Sequence, residues 1–319
     1  MAKFSLIVAA LSVLSVIKAA PLQERQSNTT IVSESAPNPI GTLYPTGITG
    51  TLNGTIVVVP IPYTLARSLI PEKFGILKEA YQSILPALPK DQYPLIIRSV
   101  IDHDVGLNGV NLIPDFQTVH VSYPFVDLLG DGYSSFSFQE YLIISADNPF
   151  TIGGVAAYKT IPVPATFRPN GQAYAFTPNG KRGEIYYDAY AANASSNDPP
   201  IVTTKFTPQG HLRWPMELFV NVTNQPAFTD GDVGCDNQIM MFNTTLSTGM
   251  NRPVPIVGDI TIKAPFFQKD RDSQYLGVAG IKVDVAFLEN NLVLCKSMKG
   301  YHGTGSGDRG TGIPTRTHY

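Results

Sequence analysis

Beyond residue 46 the apolar positions fall mostly in short runs bounded by Gly, Pro, Asn and Asp, the pattern of a β-rich chain. Ile56-Val57-Val58-Val59 is a β-branched run suited to a buried strand, and Pro60 and Pro62 end it. Helical spacing is convincing once, over residues 64–85. There Leu65, Leu69 and Ile70 share a face, and Ile76, Ala80 and Ile84 recur four apart. Pro71 predicts two short helices in that stretch rather than one. After Pro94 come β-like segments over 95–101, 118–124, 134–145, 173–177, 183–190, 201–206, 216–222, 238–246, 258–263 and 277–287. Pro178-Asn179-Gly180-Lys181 is a strong hairpin signal between two of them.

No internal repeat and no shift in composition divides this stretch, so residues 43–302 read as one mainly β (α+β) domain. So many strands in one unit point to a single closed or nearly closed β-barrel, which leaves no free edges and encloses an internal pocket. The helical pair is then a short N-terminal insertion. A β-sandwich is the alternative. Residues 21–42 are polar, rich in Ser, Asn and Pro, and read as a disordered leader; residues 303–319 read as a disordered tail.

The first 20 residues stand apart. Lys3 precedes an apolar stretch over 4–16, and Ala19 and Ala20 offer a cleavage site, so residues 1–20 read as a secretory signal peptide, with Glu24-Arg25 marking a possible pro-peptide cut. Sequons at Asn28, Asn53, Asn193, Asn221 and Asn243 agree with a secreted, extracellular glycoprotein. Two cysteines in an oxidising compartment, Cys235 and Cys295, predict one disulfide. With 23 Lys plus Arg against 25 Asp plus Glu the net charge is −2, and no basic block exists, which argues against nucleic acid. No run after the signal is long and apolar enough to span a bilayer as a helix, so no membrane partner is expected after processing.

Several local patterns bear on chemistry. Gly305-Ser306-Gly307-Asp308-Arg309-Gly310 matches a dinucleotide-binding pattern, but no strand leads into it and no helix follows. Residues 230–236 hold three aspartates yet lack the ligand spacing of a calcium loop and read as a polar turn. In Asp102-His103-Asp104 neighbouring residues on a strand face opposite sides, so no metal is expected there. No G-x-S-x-G is present. Trp214, with Tyr186, Tyr187 and Tyr190, reads as packing before it reads as a sugar platform. Glu140 within an apolar segment and Lys159 after a run of small residues are the charges whose burial would perturb their titration.

Three stretches resemble the acetoacetate decarboxylase-like superfamily. Residues 62–72 look like its helix running into a Leu-Leu-Pro turn; Asp147-Asn148 with Ala157-Tyr158-Lys159 is similar to its central Asp-Asn and Ala-Tyr-Pro-Lys-Lys run; residues 275–285 look like its closing strand. The resemblance implies a cone-shaped barrel in which a lysine forms a Schiff base with a β-keto acid, the imine accepting the electron pair released with CO2. Lys159 would be that lysine, Glu140 and Asp115 acid/base or positioning groups, and Tyr158 with Arg67, Arg98 or Arg168 the substrate-binding residues. The sequence departs from the family pattern in having Thr160 where a second lysine would follow, and no arginine in the first strand.

The leading expectation is therefore a secreted lysine-dependent decarboxylase or related lyase acting on a small oxo-acid or polyketide-like molecule, without a cofactor and with an oligomer left open. A non-catalytic barrel for a small hydrophobic ligand is the second, and a carbohydrate-active β protein, marked by two carboxylates in an open cleft, is the third.

Overall fold

The computed structural model describes residues 30–231 and 234–300. Expectations for the signal peptide, the sequon at Asn28, the tail and Asp232 lie outside them.

In chain order the elements are β1 (Ile48–Pro62), α1 (Tyr63–Leu69), β2 (Gly75–Ile76), α2 (Lys78–Ile84), β3 (Gln92–Leu107), β4 (Val110–Ile113), β5 (Phe116–Asp127), β6 (Phe136–Phe138) and β7 (Tyr141–Ser145). Then follow α3 (Pro149–Ala157), β8 (Ile161–Arg168), β9 (Ala175–Phe176), β10 (Ile185–Ala191), β11 (Val202–Pro208), α4 (Met216–Thr223), β12 (Ala227–Phe228), β13 (Cys235–Met241), β14 (Val254–Ile262) and β15 (Ser273–Val293).

The strands form one 15-stranded sheet whose pairings return on themselves. One circuit runs β1–β3–β5–β7–β8–β10–β11–β14–β15 and back to β1; a second leaves β15 through β13, β12 and β6 to rejoin β5. The pairings are antiparallel except β7–β8 and β6–β12. The result is a β-rich α+β fold built on a ring-like sheet, with β1 buried on both faces along nearly its whole length. Burial on both faces is why its second half carries the continuous apolar run Ile56-Val57-Val58-Val59 rather than an alternation. Gly280 allows β1 and β15 to approach closely: a Cβ there would lie 2.2 Å from the Ile56 carbonyl oxygen.

Pro71 divides the helical stretch as expected. Ile70, the residue before it, is extended and ends α1, and Arg67 ties the corner by donating to the carbonyls of Ile70, Pro71 and Phe74. Two helices were not expected. Residues 216–222, read as a strand, form α4, whose Leu218, Phe219 and Val222 bury one face after Pro215. Helix α3 follows Pro149 at its first turn and is capped by the Asn148 side chain, which accepts from the Thr151 amide. The segment 134–145 breaks at Gln139-Glu140 into β6 and β7.

The described part of the expected leader is also bound to the fold. Val32 bridges Ala175, the Asn38 amide donates to Asp104, and Asn53 donates to the Glu34 carbonyl and Ser35 hydroxyl. Its polar residues show no periodicity because their partners are side chains and backbone of distant strands. Cys235 and Cys295 form the expected disulfide, both buried.

Candidate functional site

Strands present every second residue to one face, so Arg98 and Asp102 of β3 share a side, as do Asp236 and Gln238 of β13 and Glu289 and Asn291 of β15. Strand register assembles them: Arg98 lies opposite His120 of β5, Asp102 opposite Phe116, and Gln238 opposite Glu289. Together they wall a cavity of about 320 Å³ that α3 borders. Its remaining wall is largely apolar, with Val105, Ile113, Leu142, Ile144, Val155 and Phe228 among its residues. Phe150 of α3 also lines it and is 71% exposed.

At the polar end the Arg98 guanidinium donates to Gln238 Oε1 at 3.2 Å and contacts His120 Nδ1 at 2.8 Å. The Thr118 hydroxyl donates to Asp102 Oδ2 at 3.4 Å. Behind Arg98, Ser122, Ser137, Gln139 and Gln225 border a second void of about 30 Å³, roughly the share of one water. Asp236 Oδ1 is sealed from solvent without a hydrogen-bond partner among the described residues.

Burial governs how these groups titrate. It lifts Asp102 to about 7, against the pull of Arg98, His103 and the Thr118 hydroxyl. It raises Asp236, opposed by Arg98, and raises Glu289 well above the carboxylate range, helped by the charges of Asp236 and Asp102. His120 is pushed well below its ordinary value by burial and then by Arg98, so it is neutral and accepts from the guanidinium. Burial also lowers Arg98, while Asp102, Asp236 and Glu289 pull it back up. Among the described residues the cavity thus holds one guanidinium, one neutral imidazole and three carboxyls raised by burial, of which Glu289 keeps its proton at neutral pH and Asp102 is near its midpoint.

Helix α3 is fastened at its C-terminal end. The Tyr158 hydroxyl donates to Asn291 Oδ1 at 2.7 Å and accepts from the Leu292 amide at 2.9 Å.

Of the sequence-predicted site residues, the cavity gathers Arg98 and Tyr158. Lys159 sits between two lining residues, Tyr158 and Thr160, but its left-handed backbone, φ +62°, accompanies a side chain that is 55% exposed and pairs with Asp230 Oδ2 at 2.5 Å. Among the described residues no lysine lines the cavity. Glu140 lies in the turn between β6 and β7, not within a strand, and Asp115 is exposed between β4 and β5, accepting from the Asp104 amide. Arg67 is the corner clamp of α1, and Arg168 is exposed and stacks on Tyr190 at 4.4 Å.

Asp102, His120, Asp236 and Glu289 belong to the cavity although sequence reasoning gave them no such role. His103 faces the other side of β3 from Asp102, against Thr51 and Asp284, as strand alternation requires. Trp214 is buried and packs as filler. Two sequon expectations need correction. Asn53 and Asn221 are buried, Asn53 covered by the leader and donating to Glu34 and Ser35, Asn221 accepting from Gln225, which leaves no room for a glycan; Asn193 and Asn243 are exposed.

No family model matches the chain, and no curated protein does. Solved structures of the enduracididine biosynthesis enzyme MppR are similar to it at low identity. With pyruvate bound, the identity is 10% over 83% of this chain and 99% of that one, with a TM-score of 0.40. With the condensation product of pyruvate and imidazole 4-carboxaldehyde, it is 10% over 84% and 98%, with a TM-score of 0.41. With HEPES buffer, it is 8% over 79% and 90%, again with a TM-score of 0.41.

Proposed function

We propose that the cavity is the working site, that it binds a small and largely apolar carbonyl compound, and that buried carboxyls move a proton on it. The carrying observation is the polar end itself: one guanidinium and three carboxyls with raised titration, at the inner end of an apolar space. Arg98 has N–H groups beyond the two directed at Gln238 and His120, and a carbonyl oxygen is their complement. Asp102, titrating at about 7, is placed to act as general base or acid at neutral pH. In that step a C–H bond next to the carbonyl breaks and the proton passes to the carboxylate. The electron pair moves to the carbonyl oxygen, held by Arg98, and the proton then returns.

This is enolisation, a proton-transfer step that lyases acting on carbonyl compounds share, in keeping with the acetoacetate decarboxylase-like class that the sequence resembles, and it runs through carboxyls. The exposed, ion-paired Lys159 has no part in it. A hydrolase cleft is less well supported, because the carboxyls line an apolar cavity beside a helix. We further propose that the protein is exported, supported by the signal-like residues 1–20, the disulfide and the exposed Asn193 and Asn243.

The test is a panel of small ketones and oxo-acids in D2O, read by NMR for binding and for loss of C–H signal next to the carbonyl. Exchange is expected to follow a pH curve with a midpoint near 7, to vanish in Ala157→Trp, which fills the cavity mouth, and to persist in Lys159→Met. Exchange lost in Lys159→Met and retained in Ala157→Trp overturns the reading. Binding without exchange makes the protein a carrier rather than an enzyme.

A further inference from the structure

We propose that the molecule taken by this cavity carries a basic nitrogen, an amine or amidine, at its polar end, rather than a free carboxylate. The inference rests on the reading of the cavity as a ligand site and adds the class of molecule.

Three strands bring Asp102, Asp236 and Glu289 to one end of the cavity, and among the described residues the only cationic side chain lining it is Arg98. The Arg98 guanidinium is already directed in part at two neutral acceptors, Gln238 Oε1 and His120 Nδ1. Among the described lining residues the acids therefore outnumber the cations by three to one. Burial keeps Glu289 protonated, whereas Asp102, lifted to about 7, and Asp236, to about 6, have largely released their protons at pH 7.5, so two carboxylates share one guanidinium. A cationic head group supplies the counter-charge that the second carboxylate lacks. An anionic head group meets the same wall with the opposite sign, and Arg98 alone has to offset both the ligand and any ionised acid. The apolar remainder of the wall, including Val105, Ile144, Leu142 and Phe228, suits a hydrocarbon body behind that head.

The experiment compares three probes of one length, n-hexylammonium, n-hexanol and n-hexanoate, titrated into the full chain at pH 7.5 with ligand-observed NMR. Ala157→Trp serves to assign binding to the cavity. The amine is expected to bind at least tenfold tighter than hexanoate, with the alcohol between them. Asp102→Asn is expected to narrow the amine-to-hexanoate ratio, with Asp236→Asn as the second variant should the first fail to fold. Hexanoate binding as tightly as the amine, or a ratio unchanged in both variants, overturns this inference and leaves the cavity as a ligand site. Absence of binding by all three probes, or binding unaffected by Ala157→Trp, overturns the ligand-site reading and this inference together.

Discussion

Replacing Asp102 by Asn is expected to stabilise the protein, and only at higher pH. The native carboxyl is lifted from its ordinary 3.8 to about 7, chiefly by burial. Between those values the folded chain holds a proton that the unfolded chain has released. The folded state therefore binds more protons, and stability falls as pH rises through the window from about 4 to 7. At ~1.4 kcal/mol per pH unit the loss approaches about 4 kcal/mol at pH 8. Asn is uncharged at every pH and retains an oxygen to accept from Thr118, so the variant escapes that loss. Urea unfolding from pH 4 to 8.5 should show the two proteins converging at the acid end. The Asn variant should gain up to about 4 kcal/mol at pH 8, which is roughly 10 °C in Tm for a chain of this size. Parallel curves across the range, or a variant less stable than wild type at pH 8, would refute the assignment of Asp102 as a buried, proton-holding carboxyl.

Other expectations concern the clasp, the disulfide and the surface. Tyr158→Phe removes both hydroxyl contacts to β15 and should speed amide exchange across residues 149–158, with global stability lowered by only ~1 kcal/mol. A uniform rise in exchange over the whole chain would contradict a local clasp. Cys295→Ser opens a loop closed over a separation of 60 residues and should cost about 4 kcal/mol in urea unfolding, with reductant then having no further effect. Expressed through a eukaryotic secretory route, Asn193→Gln and Asn243→Gln should each remove a glycan visible on gels. Asn53→Gln should leave the glycan pattern unchanged, because its side chain is buried.

Much of the β architecture was legible because the period-2 and β-branched signals are local, and the helical pair was legible because Pro71 punctuates it. Helix α4 was not: Phe219, Val220 and Val222 have strand-like propensity, and eight residues are too few for spacing to decide. Glu140 looked buried because its neighbours are apolar, but the chain turns at that point, between β6 and β7. The site was legible where one residue betrays itself, as Arg98 does inside Leu95-Ile96-Ile97-Arg98-Ser99-Val100-Ile101. Asp236 was hidden because its run 230–236 reads as a polar turn although it stands on β13, and Glu289 because no local pattern marks it; they meet Arg98 only through the pairings of β13, β15, β1 and β3. Lys159 follows small and apolar residues in sequence, and its left-handed backbone accompanies an exposed side chain between the cavity-lining Tyr158 and Thr160.

The pairing of β1 with β15, from Ile48 opposite Glu289 to Val58 opposite Ala279, joins the first and last strands of the described fold. During synthesis β1 therefore leaves the ribosome more than two hundred residues before its partner, with an apolar edge that β3 can cover on only one side. Contacts of such sequence separation form late and slowly. Glu289 rides on the strand that closes the ring, so the cavity acquires its third carboxyl in the same event that completes the sheet. A nascent chain short of β15 has neither the ring nor the full set of acids, so the polar end of the cavity exists only once the last strand of the described fold is in place.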